Sequence, residues 1–207
     1  MRSALRIFGR SPLRIAAGAA FLTGAAMLAY ASYMPAKAAL AQILLQRAWT
    51  EAQAGRDARP WPWADATAIA EIRAPRLGKR QIVLSAASGE AMAFAPGHMR
   101  ATPLPGDPGV SIIAAHRDTH FRFLRNLQIG DLLEVSRDGR IIAFRVTELR
   151  VVRWDRSGID AAAPGRRLAL VTCYPFDAVA RGPLRYVVIG ESAAQRPNPA
   201  SDAVTNL

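Results

Sequence analysis

The stretch Leu168-Ala-Leu-Val-Thr-Cys173 is a short apolar run that ends in the only cysteine of the 207-residue chain. A continuous apolar run of this length with β-branched residues predicts a buried β-strand. Tyr174-Pro175 follows at once, and the strand is expected to end there because proline lacks the N–H group that a ladder needs. Strand ends present side chains to solvent, so Cys173 is expected at the rim of a β-structure. Free cysteine is also a common core residue, and an inert buried Cys173 is the alternative.

Two further apolar runs carry residues that can assist a thiol. His116 follows the run Val110-Ser-Ile-Ile-Ala-Ala115, and Arg185 begins the run that ends at Ile189. A thiol, an imidazole and a guanidinium together can attack an acyl carbon, transfer a proton and stabilise a developing negative charge. The candidate catalytic residues are therefore Cys173, His116 and Arg185.

Other histidines and arginines compete for these roles. His98 and His120 are alternatives to His116, and the four-residue spacing of His116 and His120 would suit a metal only on a continuous helix, which the preceding strand argues against. No third ligand follows at a metal-site spacing, so neither a metal nor another cofactor is predicted. Arg181 is the alternative to Arg185. Strand alternation favours Arg185, because it shares a face with the apolar residues two and four positions later.

Short strand-like segments separated by Gly and Pro recur from Thr67 onward. Asp138-Gly139 between two such segments predicts a tight hairpin, since Gly adopts positive φ freely and Asp tolerates it. Phe121–Leu127 is predicted as a short helix. Many short strands with sparse helix favour a barrel or a sandwich. The predicted strands are Ile69–Ala74, Gln81–Ser85, Val110–Ala115, Leu132–Ser136, Ile141–Val152, Leu168–Thr172 and Arg185–Ile189.

The amino terminus predicts a membrane anchor. Four arginines within the first fourteen residues precede Ile15–Met34, an uncharged apolar segment long enough to cross a bilayer. The arginines are expected to stay cytoplasmic, which places the rest of the chain outside. A cleaved signal peptide is the alternative, because Ala29-Tyr-Ala31 and Ala36-Lys-Ala38 resemble cleavage sites. The apolar stretch is longer than the roughly 7 to 15 residues of a signal-peptide core, which favours the anchor.

Composition after the anchor predicts a helical stalk and then a folded domain. The stalk is rich in helix formers, and its apolar spacing falls on Leu40, Ile43, Leu44 and Ala48. Pro60-Trp-Pro-Trp63 interrupts the helix, and its tryptophans either cover a barrel end or lie at the lipid interface. The predicted segments are a cytoplasmic basic segment 1–14, a transmembrane helix 15–34, a stalk or linker 35–59, a catalytic domain 60–192 and a disordered tail 193–207.

A formal charge of +11 alone would suggest an anionic partner. The basic residues are scattered, and no aromatic stacking platform is interleaved with them. Nucleic acid binding is therefore not predicted.

Three segments in chain order resemble the sortase family: Ser111–His116, Leu170–Cys173 and Leu184–Val188. The similarity spans about Thr67 to Gly190. Its most specific parts are the Thr-Cys ending and an arginine twelve residues later at the head of a strand.

Details of the motifs point to particular branches of that family. The His-Arg-Asp-Thr segment at 116–119 resembles class D sortases. Pro60–Trp63 and the Thr-Cys-Tyr-Pro-Phe segment at 172–176 resemble the branch of Gram-negative bacteria. Ala115 departs from the family, since many sortases carry glycine before the histidine.

The resemblance implies an eight-stranded β-barrel with one or two short helices, preceded by the transmembrane helix. It implies a transpeptidase that cleaves a Leu-Pro-X-Thr-Gly-like sorting signal near the carboxyl terminus of an exported protein. By position, Cys173 forms an acyl-thioester, His116 protonates the leaving amine and later deprotonates the incoming one, and Arg185 holds the substrate and the oxyanion. The implied partners are the exported protein, an amine acceptor and the inner membrane, with the catalytic domain on the periplasmic side.

Two other functions remain open from the sequence. One is a cysteine hydrolase that uses water as the acceptor. The other is a non-catalytic, membrane-anchored β-barrel scaffold in which Cys173 fills the core.

Overall fold

The computed structural model describes residues 12–56, 59–180 and 182–197, which form one α-helix, eight β-strands and three short 3-10 helices. The helix α1 spans Pro12–Gln53. The strands are β1 Ala68–Ala74, β2 Lys79–Leu84, β3 Gly97–His98, β4 Gly109–Ala114, β5 Leu132–Arg137, β6 Arg140–Arg153, β7 Arg166–Cys173 and β8 Leu184–Pro197. The 3-10 helices are Pro75–Leu77, Ala91–Ala93 and Arg122–Asn126.

The eight strands form a closed barrel in the order β1-β2-β3-β4-β7-β8-β6-β5. The pairs β2–β3 and β4–β7 are parallel, and the other neighbouring strands are antiparallel. Closure leaves no sheet edge exposed, which is one way that antiparallel proteins avoid pairing with other chains. The predicted mostly-β barrel with eight strands is confirmed, and the sandwich alternative is wrong.

Apolar residues at alternate strand positions fill the barrel interior, as strand geometry requires. Ile72, Ile113, Phe144 and Leu170 are fully buried in this cluster. Four apolar side chains of the 121–127 segment join the same cluster, so the short helix predicted there exists as a 3-10 turn packed on the core.

The hairpin between β5 and β6 turns at Asp138-Gly139, as predicted. Both residues have positive φ, 48° for Asp138 and 69° for Gly139, and Arg137 pairs directly with Arg140. This geometry requires a left-handed backbone at both turn positions, which explains the choice of Asp and Gly.

One strand and one strand extension differ from the sequence-based expectation. The two-residue strand β3, Gly97–His98, pairs with both β2 and β4 in a region where no strand was predicted. Strand β8 extends to Pro197 through pairing with β6, into the segment predicted as a tail from residue 193. Residues 198–207 lie outside the described residues.

The helix α1 belongs to two compact units, one ending at Leu40 and the other beginning at Ala41. Among the described residues, α1 is the helix that is long and apolar enough to cross a membrane, with a window of mean hydropathy 1.5 that is not buried. It is therefore a candidate membrane anchor, as the sequence predicted.

The last turns of α1 pack against the barrel. Leu45, Ala48 and Trp49 are buried in a cluster that includes Ile82 and Leu84 of β2. The Gln42 side chain also donates a hydrogen bond to the Phe94 carbonyl, at 2.8 Å. These turns, part of the segment predicted as a stalk, thus belong to the same compact unit as the barrel.

The buried face of α1 coincides only in part with the apolar spacing read from the sequence. Ala48 is buried and Leu44 is partly buried, but Leu40 and Ile43 are 56% and 66% exposed, whereas Leu45 and Trp49 are buried. The stripe that includes Ala41, Leu45, Ala48 and Trp49 has helical spacing but contains two alanines, so its apolar signal is weaker than that of the exposed leucine and isoleucine.

The two tryptophans of 60–63 occupy different environments. Trp61 is partly buried, and its ring meets that of Phe94 edge-on with centroids 4.9 Å apart. Trp63 is 77% exposed. Trp61 therefore covers the apolar cluster between α1 and the barrel. Of the two tryptophans, only Trp63 is exposed enough to lie at a lipid interface.

Candidate active site

Cys173 is the last residue of β7 and is partly exposed. Along this strand Leu168 and Leu170 point into the barrel core, whereas Ala169 and Val171 contact a second apolar cluster on the outer face. Alternation places Cys173 with the outer set. The thiol is thus outside the core at the rim of the barrel, which argues against its use as core filler.

His116 lies two residues beyond the end of β4, beside the end of β7. The parallel pairing of these strands sets Ala114 opposite Val171, and the Ala115 amide donates to the Val171 carbonyl at 3.2 Å. The buried Thr172 hydroxyl donates to the Ala115 carbonyl at 2.8 Å. The pairing ends at Ala114, and the same register carried two residues further would set His116 opposite Cys173. The imidazole is exposed and forms no side-chain hydrogen bond within the described part of the chain.

Arg185 is the direct cross-strand partner of Cys173 in the antiparallel β7–β8 pair. Side chains directly opposite each other in such a pair have Cβ atoms about 4.5–5.5 Å apart. One nitrogen, Nη1, donates to the carbonyls of Gly182 (2.9 Å) and Leu184 (2.8 Å). No carboxylate pairs with Arg185 in the residues that the structure describes, which leaves the rest of its guanidinium fork available to an anionic group.

Cys173 and Arg185 lie on one face of the adjacent strands β7 and β8, and β4, which His116 follows by two residues, is the neighbour of β7. Residues of the same parity as Cys173 and Arg185 form the outer apolar cluster, together with side chains from β4, β6 and the connection between β6 and β7. Its buried members are Val110, Ala169, Val187 and Ile189, with Ile112, Val152, Ile159, Ala163 and Val171 packed against them. Cys173 and Arg185 therefore lie at one end of an apolar cluster whose central side chains are buried and whose outer side chains are partly exposed.

An aromatic cluster packs at the end of the barrel that carries Cys173. The rings of Tyr174 and Tyr186 are nearly parallel with centroids 6.2 Å apart, and Phe176 meets Tyr186 edge-on at 5.1 Å. Burial raises the pKa of Tyr186, and the nearby Tyr174 adds to this effect. Sequence reasoning used Tyr174-Pro175 as a strand breaker and 172–176 as a family resemblance, and it did not predict these ring contacts.

The competing histidines have other environments. His98 is buried, with Nε2 2.9 Å from the Pro103 carbonyl and 3.2 Å from the Thr102 hydroxyl. It is a hydrogen-bonded core histidine. His120 is partly buried, with Nδ1 3.1 Å from the Gln81 side-chain oxygen. Burial lowers the pKa of His120, and the charge of His116 lowers it further against an opposing hydrogen bond to the Ala93 backbone.

His120 also lines a cleft of about 530 Å³ that includes the cationic residues Lys79, Arg122 and Arg125. None of the predicted trio lines this cleft. Arg181, the alternative to Arg185, is outside the described residues. Within the described ranges, no group of three or more His, Cys, Asp or Glu side chains is placed to hold a metal ion.

A buried arginine next to the histidine was also missed from the sequence. Arg117 is 5% exposed and donates hydrogen bonds to three carbonyls of the segment that follows Cys173. The abrupt polar sequence His-Arg-Asp-Thr at 116–119 was the one available signal, but nothing in it marks the arginine as buried.

Known proteins share this domain. Residues 72–193 match the sortase domain. Sortase D of Bacillus subtilis (strain 168) is 28% identical over 127 residues, which cover 61% of this chain and 63% of that protein. The chain thus spans less than two thirds of the length of that relative.

Solved structures agree on the fold. A point mutant of sortase E from Streptomyces avermitilis is 26% identical with a TM-score of 0.55, over 64% of this chain and 92% of that one. Sortase C-3 from Streptococcus pneumoniae has a TM-score of 0.59 at 21% identity, over 89% of this chain and 97% of that one, and shows the fold alone. Because the matched domain covers more than half of the chain and the resemblance read from the sequence agrees with it, the chain belongs to the sortase family.

Proposed function

We propose that this protein is a membrane-anchored cysteine transpeptidase that cleaves a Leu-Pro-X-Thr-Gly-like sorting signal of an exported protein and transfers the acyl group to an amine. One observation carries the proposal. In a sortase domain, Cys173 and Arg185 are cross-strand partners, and the chain leaves β4 at Ala114, two residues before His116 and beside the end of β7.

The arrangement suits acyl transfer in two steps. The Cys173 thiol gives its proton to His116 as the sulfur attacks the scissile carbonyl carbon, and the peptide C–N bond then breaks as His116 passes that proton to the leaving amine, which leaves a thioester. An incoming amine attacks the thioester and gives a proton to His116, which returns it to the departing Cys173 sulfur. Arg185 donates hydrogen bonds to the carbonyl oxygen while negative charge accumulates there.

The outer apolar cluster supports an extended peptide substrate. It lies on the side of β7 and β8 that carries Cys173 and Arg185, and Ile159 and Ala163 extend it into the β6–β7 connection. The partly exposed members of this cluster, such as Ile112 and Val171, would contact the Leu and Pro side chains of a sorting signal, which would place the following Thr–Gly bond near Cys173.

The anchor helix supports a place at the inner membrane. The arginines that precede 15–34 favour a cytoplasmic amino terminus, which puts the catalytic domain on the periplasmic side. Segment boundaries at 1–14, 15–34 and 35–59 are part of this proposal.

The full-length protein in detergent, incubated with a sorting-signal peptide, tests the activity. Intact-mass measurement is expected to show an acyl adduct on wild type and none on C173A. With an amine present, the product should be the amide, whereas free acid alone in the presence of amines would favour the hydrolase. No adduct with several cognate sorting signals would contradict both enzymatic functions and leave the scaffold.

A further inference from the structure

Arg117 and Glu71 are the charged residues that lie buried among those the structure describes. The Glu71 carboxylate is compensated by two arginines, with Arg73 Nε at 2.5 Å and Arg80 Nε at 3.4 Å. The positive charge of Arg117 is compensated mainly by hydrogen bonds from its guanidinium to backbone carbonyls. Its one carboxylate contact, with Asp118 at 3.3 Å, is to a side chain that is largely exposed. A buried guanidinium is costly unless its donors are satisfied, so the backbone contacts of Arg117 are expected to persist.

All three backbone acceptors of Arg117 belong to the loop 174–183, which we call the β7–β8 loop. Nη1 donates to the Pro175 carbonyl at 2.8 Å, and Nη2 donates to the carbonyls of Ala178 and, at 3.1 Å, Ala180. This loop begins directly after Cys173 and ends directly before the strand that starts with Leu184-Arg185. Arg117 therefore holds the middle of the loop whose two ends carry the nucleophile and the catalytic arginine of the proposed reaction.

Arg117, whose side chain makes these contacts, directly follows His116 in the chain. The backbone around the histidine is fixed on both sides, because Thr172 Oγ1 donates to the Ala115 carbonyl and the Phe121 amide donates to the His116 carbonyl at 3.1 Å. The imidazole itself has no hydrogen-bond partner in the described ranges, so its position relative to Cys173 depends on the placement of its backbone.

We propose that Arg117 is a positioning residue that keeps the His116 segment and the β7–β8 loop in one relative arrangement, so that the imidazole stays within reach of the thiol. This inference rests on the proposed function. A single guanidinium fork spans three carbonyls, which an ammonium or an amide cannot reproduce. Displacement of a catalytic group by about 1 Å can cost on the order of 10²-fold in rate.

The test uses full-length wild type, R117K and R117Q in detergent, with R125Q as a matched control. Arg125 also ties the 3-10 segment to the β7–β8 loop, through Asp177 at 3.2 Å, but both side chains are exposed. We expect kcat to fall about 10- to 100-fold in R117K and further in R117Q, with KM changed less than about threefold. R125Q should stay within about twofold of wild type.

A second readout separates positioning from folding. Cys173 is the only thiol, so its alkylation rate by iodoacetamide at a fixed pH reports how well the neighbouring imidazole activates it. In folded R117K and R117Q, as judged by near-UV circular dichroism, this rate is expected to fall below that of wild type. A wild-type rate with kcat within twofold would overturn the proposal, as would a loss fully explained by a smaller folded fraction. If R117Q does not fold, R117K decides.

The same measurements separate a failure of the proposed function from a failure of the role of Arg117. If wild type forms no acyl adduct, the proposed function fails, and the alkylation rates alone decide whether Arg117 positions His116 against Cys173. If wild type is active and R117K matches it, only the role of Arg117 fails.

Discussion

Replacement of Thr172 by Val tests the contact that joins the two strand ends of the site. The Thr172 side chain is 2% exposed, and its hydroxyl donates to the Ala115 carbonyl at 2.8 Å. Val has nearly the shape of Thr but cannot donate a hydrogen bond. The Ala115 carbonyl then lacks its donor, which lowers the free energy of unfolding by about 1–3 kcal/mol. The extra buried methyl group offsets about 0.8 kcal/mol of that cost. We therefore expect T172V to lower the free energy of unfolding by about 1 kcal/mol and Tm by about 2–4 °C.

The same change is expected to reduce activity. Because Ala115 precedes His116 and Thr172 precedes Cys173, a looser contact between them widens the distribution of imidazole–thiol distances. A loss of about 1.4 kcal/mol in transition-state stabilisation corresponds to about tenfold in kcat/KM. Thermal unfolding and peptide transpeptidation of T172V measure the two effects.

T147V is the matched control, since the Thr147 hydroxyl also faces a backbone carbonyl, that of Ile189, but at 3.4 Å and in an exposed position. It should change neither Tm nor kcat/KM appreciably. Equal behaviour of T172V and T147V in both assays would refute the reasoning, and a fall in Tm with unchanged kcat/KM would show that the Thr172 contact is structural only.

Three further outcomes are expected. C173A should abolish the acyl adduct and change the free energy of unfolding by less than about 1 kcal/mol, because Cys173 is partly exposed; equilibrium unfolding checks this. R185K keeps the charge but loses the fork, so kcat should fall about 10²-fold in a folded protein, and a loss below tenfold would count against the role of Arg185. Burial lowers the pKa of His120 in the folded protein below its value in the unfolded chain. As pH falls, the unfolded chain therefore binds a proton at this site before the folded protein does, and the free energy of unfolding should decline below about pH 6.5. Urea unfolding between pH 7.5 and 5 should show a smaller decline for H120Q, and matching slopes would contradict this.

The elements that the sequence predicted well are those with a local physical cause. Short apolar segments bounded by Gly or Pro mark β1, β5 and β7, and the Asp138-Gly139 turn is specified by its backbone requirement. The position of Cys173 at a strand end follows from Pro175 two residues later, and strand alternation favours Arg185 at the head of β8. Their pairing in one register depends on strand order, which the residues alone did not supply and the family resemblance implied.

The features that the sequence did not reveal depend on distant residues. Strand β3 has two residues, too few to show a period, and forms because Gly97 packs closely on the backbone of Ala86, where a Cβ atom does not fit. The burial of Arg117 depends on carbonyls about sixty positions later, in a chain where many arginines are exposed. The buried face of α1 depends on alanines whose packing partners lie on β1 and β2.

The packing of the last turns of α1 against β1 and β2 determines where the chain is best shortened for work without detergent. A chain that begins at Pro60 lacks Leu45 and Trp49, which uncovers Leu84, Ala66 and their neighbours and leaves an apolar patch that favours aggregation. A chain that begins at Ala41 keeps these contacts and omits the exposed apolar turns that precede them.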